Sequence, residues 1–392
     1  LAGPFTGRRI WFVGIGGAGL SGYALLARAW GARVAGWDRV DTPYLEHVRA
    51  AGIDVTISDE PQPAPDGWEA VVSTAFAARV PGRSRAEFLA ELVSGQRAIV
   101  VAGAHGKTTT AAMIAFALDR LGLEPAFLIG GDVPQLGGNA RAGCGWLVVE
   151  GDESDRTIGA LRPEIAVVTN IDLDHHTEFA SRSEVATLFD EWLAHVPHVV
   201  RGETLDAAAF PLAVPGEHNR RNAAAAVAAL ERAGVERGAA ARVLAEFRGV
   251  GRRLELRSSD GIRVYDDYAH NPAKVAAAIA AVRETGAARV LVLFQPHLFS
   301  RTRHSAHELA DALAAADVVA ITEIYPAREQ PLADVSGKLV VDALAQARPG
   351  MPIAWTPTLE AGAAFVSRRA RNGDVVITMG AGDVDRAVAL IG

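Results

Sequence analysis

Residues 103–110 read Gly-Ala-His-Gly-Lys-Thr-Thr-Thr, after an apolar run and before a helical pattern. Backbone N–H groups at such a turn and at the following helix start can cradle phosphates. Lys107 would neutralise a β- or γ-phosphate, and a Thr hydroxyl would ligate Mg²⁺. The spacing departs from the usual GxxxxGK[ST], because the position five before Gly106 is Val101. The physics of a Gly-Lys-Thr anion nest survives that departure. The reading is a nucleoside-triphosphate site, set against an accidental Gly-Lys-Thr turn.

A second glycine turn, Gly14-x-Gly16-x-x-Gly19, follows a strand pattern and opens a helix, with Asp38 at the spacing of a ribose-binding acid. Its physics specifies only a diphosphate. A dinucleotide, another nucleotide and a purely structural turn all stay open for it. Glu150 and its neighbours Asp152, Glu153 and Asp155, and then Asp174-His175-His176, fall at further strand ends. Beside a phosphate loop these are candidate Mg²⁺ ligands, although imidazole is unusual for that ion. Their bland use is to cap helix starts. Asp266–Pro272 and Phe294–His297, followed by Arg301 and Arg303, make a third polar cluster at strand ends. A lone His there is more often a hydrogen-bonded structural residue, but the number of such clusters argues against that use for all of them.

Three alternating α/β units must position these groups. In the first, strands are expected over 9–15 and 33–37, a helix over 21–30 and a strand end at 71–74. The second begins near Arg97, with strands at 98–102, 147–150 and 165–170, a helix from Thr108 and an Ala-rich helical pair over 222–247. The third begins near Gly251, with strands at 263–266, 289–294, 318–323 and 375–379. Strands that end in polar residues match the ligand edge of an open parallel sheet. The bulk numbers agree. The 392 residues call for two or three domains. Charged residues are 22% and hydrophobic residues 49%, as in a soluble globular protein. A net charge of −7 excludes a general nucleic-acid binder, so anions must be held by local positive sites. One cysteine, Cys144, allows no intrachain disulfide and no cysteine-based metal site. No apolar run reaches membrane-spanning length and no signal-peptide h-region is read, so the expected compartment is the cytoplasm.

The motifs also come in a telling order. It runs Gly14–Gly22, Gly103–Thr110, Glu150–Asp155, Thr169-Asn170 with Asp174-His175, Pro215–Asn219 with Asn222–Ala226, Gly251–Arg253, Asp266–His270, Phe294–His297 and Gly380–Asp383. This series resembles the Mur ligase family, most of all its members that join L-alanine to UDP-N-acetylmuramate, over nearly the whole chain. The resemblance implies an α/β protein of three domains. These are a Rossmann-like UDP-substrate domain at 1–96, a P-loop ATPase-like domain at 97–250, shortened near 197–214, and a Rossmann-like closing domain at 251–392. It assigns the first glycine turn to UDP in place of NAD, through Gly14, Gly16, Gly17, Ala18, Gly19, Asp38 and Ser73. ATP would be held by Gly103, His105, Gly106, Lys107, Thr108 and Thr109. His218, Asn219 and Asn222 would flank the adenine, and Arg253 and Asp267 would reach the γ-phosphate and ribose. Thr108, Glu150 and His175 would hold Mg²⁺. Tyr268, His270, His297 and Arg301 would receive the amino acid. Lys107, Glu150, His175, His270 and Arg301 are the implied catalytic set. Partners would be the two small-molecule substrates, with no nucleic acid and no membrane; a homodimer stays open. Leu298 departs from the arginine that some relatives carry.

Overall fold

The structure, a computed structural model, describes residues 3–154, 156–172, 179, 181–259, 261–327 and 329–391. It contains three sheets. The first is built from β1 (Arg9–Val13), β2 (Arg33–Asp38), β3 (Asp54–Ile57), β4 (Glu69–Val72) and β5 (Arg83–Ser84), all parallel, in the order β3-β2-β1-β4-β5. Its helices are α1 (Ala18–Ala29), α2 (Tyr44–Ala50) and α3 (Arg85–Ser94). The second comprises β6 (Ala98–Ala102), β7 (Ala126–Val133), β8 (Gly138–Arg141), β9 (Leu147–Glu150), β10 (Ile165–Val168) and β11 (His198–Arg201), in the order β11-β10-β6-β9-β7-β8 with only β8 antiparallel. With it go α4 (Lys107–Arg120), α5 (Arg182–Leu193), α6 (Glu217–Arg232) and α7 (Arg237–Leu244).

The third sheet comprises β12 (Glu255–Ser258), β13 (Arg263–Asp267), β14 (Val290–Phe294), β15 (Val318–Ile321), β16 (Ile353–Trp355) and β17 (Val375–Met379). Its order is β12-β13-β17-β14-β15-β16, with β12 antiparallel at one edge. Helices α8 (Pro272–Glu284), α9 (Phe299–Leu313), α10 (Lys338–Ala347) and α11 (Leu359–Ser367) belong to it. The chain divides into two compact units. One holds 1–211 and 221–247, hence the first two sheets; the other holds 212–220 and 248–392, hence the third.

Central strands are short apolar runs because helices cover both faces of a parallel sheet. Every residue of β6 (Ala-Ile-Val-Val-Ala), β14 (Val-Leu-Val-Leu-Phe) and β17 is buried. In the first unit one continuous core joins the two sheets, running from Ile10, Phe12 and Leu26 through Phe88 to Leu128, Val149 and Trp192. Sheet order then fixes where ligands can enter. Connections leave β1 and β6 to opposite sides, and the crevice beyond such a switch point lies at the strands' carboxyl ends. Gly14 follows β1, and Gly103 follows β6. Some expected boundaries shift: β1 stops at Val13, β10 at Val168 and β15 at Ile321, each where the chain turns, while α1 starts at Ala18 and α4 at Lys107. No described helix is long and apolar enough to cross a membrane.

Candidate active site

The turn after β6 is shaped by backbone that only glycine adopts with ease. Gly103 has φ +128°, and a Cβ there would meet the Asn170 carbonyl oxygen at 2.6 Å. Gly106, at φ +84°, begins α4, and a Cβ there would overlap the Asn222 amide. Asn170, just beyond β10, locks the loop from the other side. Its Oδ1 accepts from His105 N–H at 2.9 Å, and its Nδ2 donates to the His105 carbonyl at 2.8 Å. Thr169 donates to the same carbonyl at 2.6 Å.

Inside this frame the Lys107 ammonium donates to the Gly103 carbonyl at 2.7 Å and to both Glu153 oxygens at 3.0 Å. The next residue, Thr108, donates from its hydroxyl to Glu150 Oε2 at 2.9 Å, while Gly130 N–H holds Glu150 Oε1 at 2.6 Å. Thr109 is buried on α4. Asp152 is half-buried, and its desolvation alone would raise its carboxyl. Hydrogen bonds from the Ser154 hydroxyl and N–H, with the fields of Lys107 and Arg85, outweigh that and hold it below the ordinary carboxylate value. Lys107, Thr108 and Glu150 are thus brought together as the sequence predicts. His175 lies outside the described residues. No group of three or more His, Cys, Asp or Glu side chains is arranged for a metal among the described residues.

The first glycine turn is fixed by Asp38. Its Oδ2 accepts from Gly16 N–H at 2.7 Å, and its Oδ1 from Arg39 and Val40 N–H at 2.7 and 3.3 Å. Asp38 therefore shapes the turn, a use that the ribose reading did not include. Gly14, at φ +87°, lies against Ser73, 2.9 Å from the position that a Cβ would take. Gly17 caps α1 without a side-chain bond, and no acid stands in the first helical turn from Ala18 and Gly19. The arginine at the start of α3, Arg85, extends over Gly19.

In the second unit the strand ends carry an aromatic and imidazole cluster. His270 lies edge-on to Tyr268 (5.4 Å) and tilted against His297 (5.8 Å), which stacks on Tyr325 (5.9 Å, 11°). Hydrogen-bond partners assign the tautomers. His270 Nδ1 faces the Tyr268 carbonyl at 2.8 Å and must donate, so its Nε2 is an acceptor when neutral. His297 Nδ1 faces Arg301 Nη1 at 3.1 Å and must accept, so its Nε2 carries the proton. Burial, with the Arg301 guanidinium adding to it, lowers His297 to about 4.

Arg252 is occupied by Asp266 and by the Gly380 and Gly382 carbonyls, whereas Arg253 lies 4.7 Å over the Tyr268 ring. Asp267 binds Leu254 and Ala269 N–H, each at 2.7 Å, and burial pushes it up to about 6 against the Arg253 field. His218, lowered by burial, and Asn219, bonded to the Pro215 carbonyl at 2.6 Å, belong to this unit; Asn222 belongs to the other. Sequence reading had Glu153 as a candidate Mg²⁺ ligand and not as the partner of Lys107. It missed Asn170, Arg85 and Tyr325 as site residues; Asn170 lies within a quoted motif and offered a signal, and Arg85 and Tyr325 offered none.

The chain is similar to known proteins over most of its length. Residues 9–97 fit the description "Mur ligase family, catalytic domain", residues 101–200 "Mur ligase middle domain" and residues 252–382 "Mur ligase, glutamate ligase domain". A UDP-N-acetylmuramate–L-alanine ligase of Streptomyces avermitilis is 37% identical, covering 95% of this chain and 94% of its own length. That alignment spans 443 positions, more than the 392 residues here, so the relative carries extra residues within the matched span. One from Rubrobacter xylanophilus is 36% identical over 97% and 98%. The crystal structure of a UDP-N-acetylmuramate-alanine ligase from Thermotoga maritima superposes with a TM-score of 0.79 at 25% identity, covering 97% of each chain. With both matching over more than nine tenths of each chain, the chain belongs to the Mur ligase family.

Proposed function

We propose that this protein joins L-alanine to the lactyl carboxylate of UDP-N-acetylmuramate, driven by ATP and passing through an acyl phosphate. The observation that carries the reading is the Lys107 turn, with its ammonium and the Thr108–Glu150 pair facing one glycine cradle. The likeness to relatives named for this reaction supports the substrate. The carboxylate attacks the γ-phosphoryl group and ADP leaves. The alanine amine then attacks the acyl carbonyl and phosphate leaves. An anion approaching a triphosphate is repelled, so most of the work is positioning and charge neutralisation.

Lys107 neutralises the β/γ-phosphates, and the backbone N–H groups of 103–108 orient them. Thr108 and Glu150 are hard oxygen donors 2.9 Å apart, a fit for Mg²⁺, which binds through one or two carboxylates plus phosphate oxygens and water. When bound there it supplies positive charge at the phosphate oxygens. His175 is proposed beside them. The UDP diphosphate is received by the turn at Gly14, Gly16, Gly17, Ala18 and Gly19, with Asp38 and Ser73 supporting it. Asn222, His218 and Asn219 are proposed at the adenine, and Arg253 and Asp267 at the γ-phosphate and ribose. In the amino-acid site Arg301 and the His297 Nε2–H group would take the alanine carboxylate. His270 Nε2 would accept a proton from its ammonium, with Tyr268 lining the site. The three working domains are proposed as 1–96, 97–250 and 251–392, acting in the cytoplasm on these small molecules.

The test is phosphate release by the purified chain. It should require ATP, Mg²⁺, UDP-N-acetylmuramate and L-alanine together. Undiminished release after omission of either acceptor would defeat the reading.

A further inference from the structure

We infer that Arg85 is the side chain that binds the diphosphate of the sugar nucleotide, completing the anion site of the first glycine turn. The inference rests on the reading that this turn receives a UDP-linked substrate. Arg85 is the first residue of α3, and its position is set by a capping box. Ser84 Oγ accepts from Glu87 N–H at 3.1 Å, and Glu87 Oε2 accepts from Ser84 N–H at 2.7 Å. From there the side chain reaches back over α1. Its Nη1, Cδ and Cζ lie 3.2, 3.5 and 3.8 Å from where a Cβ of Gly19 would stand. The guanidinium thus lies directly against the glycine at the start of α1.

This placement is electrostatically odd without a ligand. The start of α1 carries the positive end of a helix dipole and unbonded N–H groups, and a cation beside it is unfavourable. Arg85 also sits at the start of its own helix, where the same argument applies. Neighbouring arginines are neutralised: Arg8 pairs with Glu69 and Glu91, and Arg83 with Glu91. The Arg85 guanidinium makes no hydrogen bond or ion pair among the described residues, though it is partly buried. The acid that feels its field is Asp152, whose Oδ1 is already bonded twice by Ser154 and which also feels Lys107. Arg85 and a helix start are therefore two positive features aimed at one place, and a planar guanidinium pairs with phosphate oxygens through two parallel bonds. A nucleoside diphosphate satisfies both.

The experiment is calorimetric binding to the full chain without turnover, with UDP, UDP-N-acetylmuramate and ATP as separate ligands. For Arg85→Ala the Kd of both uridine nucleotides should rise roughly tenfold or more. The Kd of ATP should stay within about twofold, which shows that the fold and the Lys107 turn are intact. Arg85→Lys should recover only part of the loss, because a point charge lacks the fork. An unchanged Kd for UDP in Arg85→Ala overturns the inference. So does a loss confined to UDP-N-acetylmuramate, which would place Arg85 on the sugar side. If the wild-type chain binds neither uridine nucleotide, the substrate reading itself fails, a result separate from either of these.

Discussion

Lys107 and Glu153 form an ion pair with side-chain exposures of 19% and 3%. A single substitution at Lys107 therefore strips a phosphate ligand and also takes the ammonium away from a buried carboxylate. The two effects separate by design. Lys107→Met should abolish phosphate release and cost on the order of 3 kcal/mol of stability, because removing one partner leaves the other uncompensated. Adding Glu153→Gln should return part of that stability, since no buried charge is then left without its counter-ion, while release stays absent. Urea midpoints and phosphate release on the two variants check this. A double variant as unstable as the single one would sink the pairing argument. At this scale the sequence showed that Lys107 must meet phosphate, because glycine spacing and lysine chemistry are local. It did not show that Glu153 faces the ammonium while Glu150 faces Thr108. Both acids follow β9, and which one points where depends on the neighbouring strands and on Gly130.

Elements carry the geometry that residues use. The buried strands β1, β6, β14 and β17 were legible because they are short, nearly continuous apolar runs, the mark of a parallel strand covered on both faces. Strands β3, β5, β8, β12 and β16 were not. They are two to four residues long, mostly half-buried or exposed, and take their register from a neighbour. The capping box of α3 is another device that only the fold makes meaningful. It fixes the direction from which Phe88, Leu89 and Leu92 enter the core. Ser84→Ala should cost about 1 kcal/mol in urea unfolding, the usual loss for an N-cap oxygen. Ser84→Thr should keep most of the wild-type midpoint, since its hydroxyl also caps and can still donate to Glu87. Equal loss in both would mean that the cap contributes nothing. At the start of α9 the backbone holds Leu298 at φ +69°, with its N–H on the Tyr325 carbonyl. That bridge sets His297 against Tyr325, an arrangement with no trace in local sequence.

At the scale of the whole molecule, pH separates groups whose burial works in opposite directions. In the second unit His297 is lowered from 6.5 to about 4 by burial and by Arg301, with Glu329 opposing. Its folded-state pKa is depressed, so its contribution is present above pH 6.5 and is lost as pH falls through about 4. Asp267 is raised from 3.8 to about 6 by burial, against Arg253 and two backbone N–H groups. Its contribution is present below pH 3.8 and is lost as pH rises through about 6. Across the window between pH 4 and 6 the two slopes have opposite sign, so the wild-type curve should be flatter than either group alone would make it. His297→Gln removes one slope. Relative to wild type, this variant should gain stability steadily as pH is lowered from 7 to 4. Asp267→Asn removes the other, and its stability relative to wild type should fall over the same range. Urea midpoints at pH 7, 5.5 and 4 measure both. Two difference curves that run parallel to the pH axis would show that folding shifts neither group's pKa, and the burial argument for the imidazole cluster would go with them.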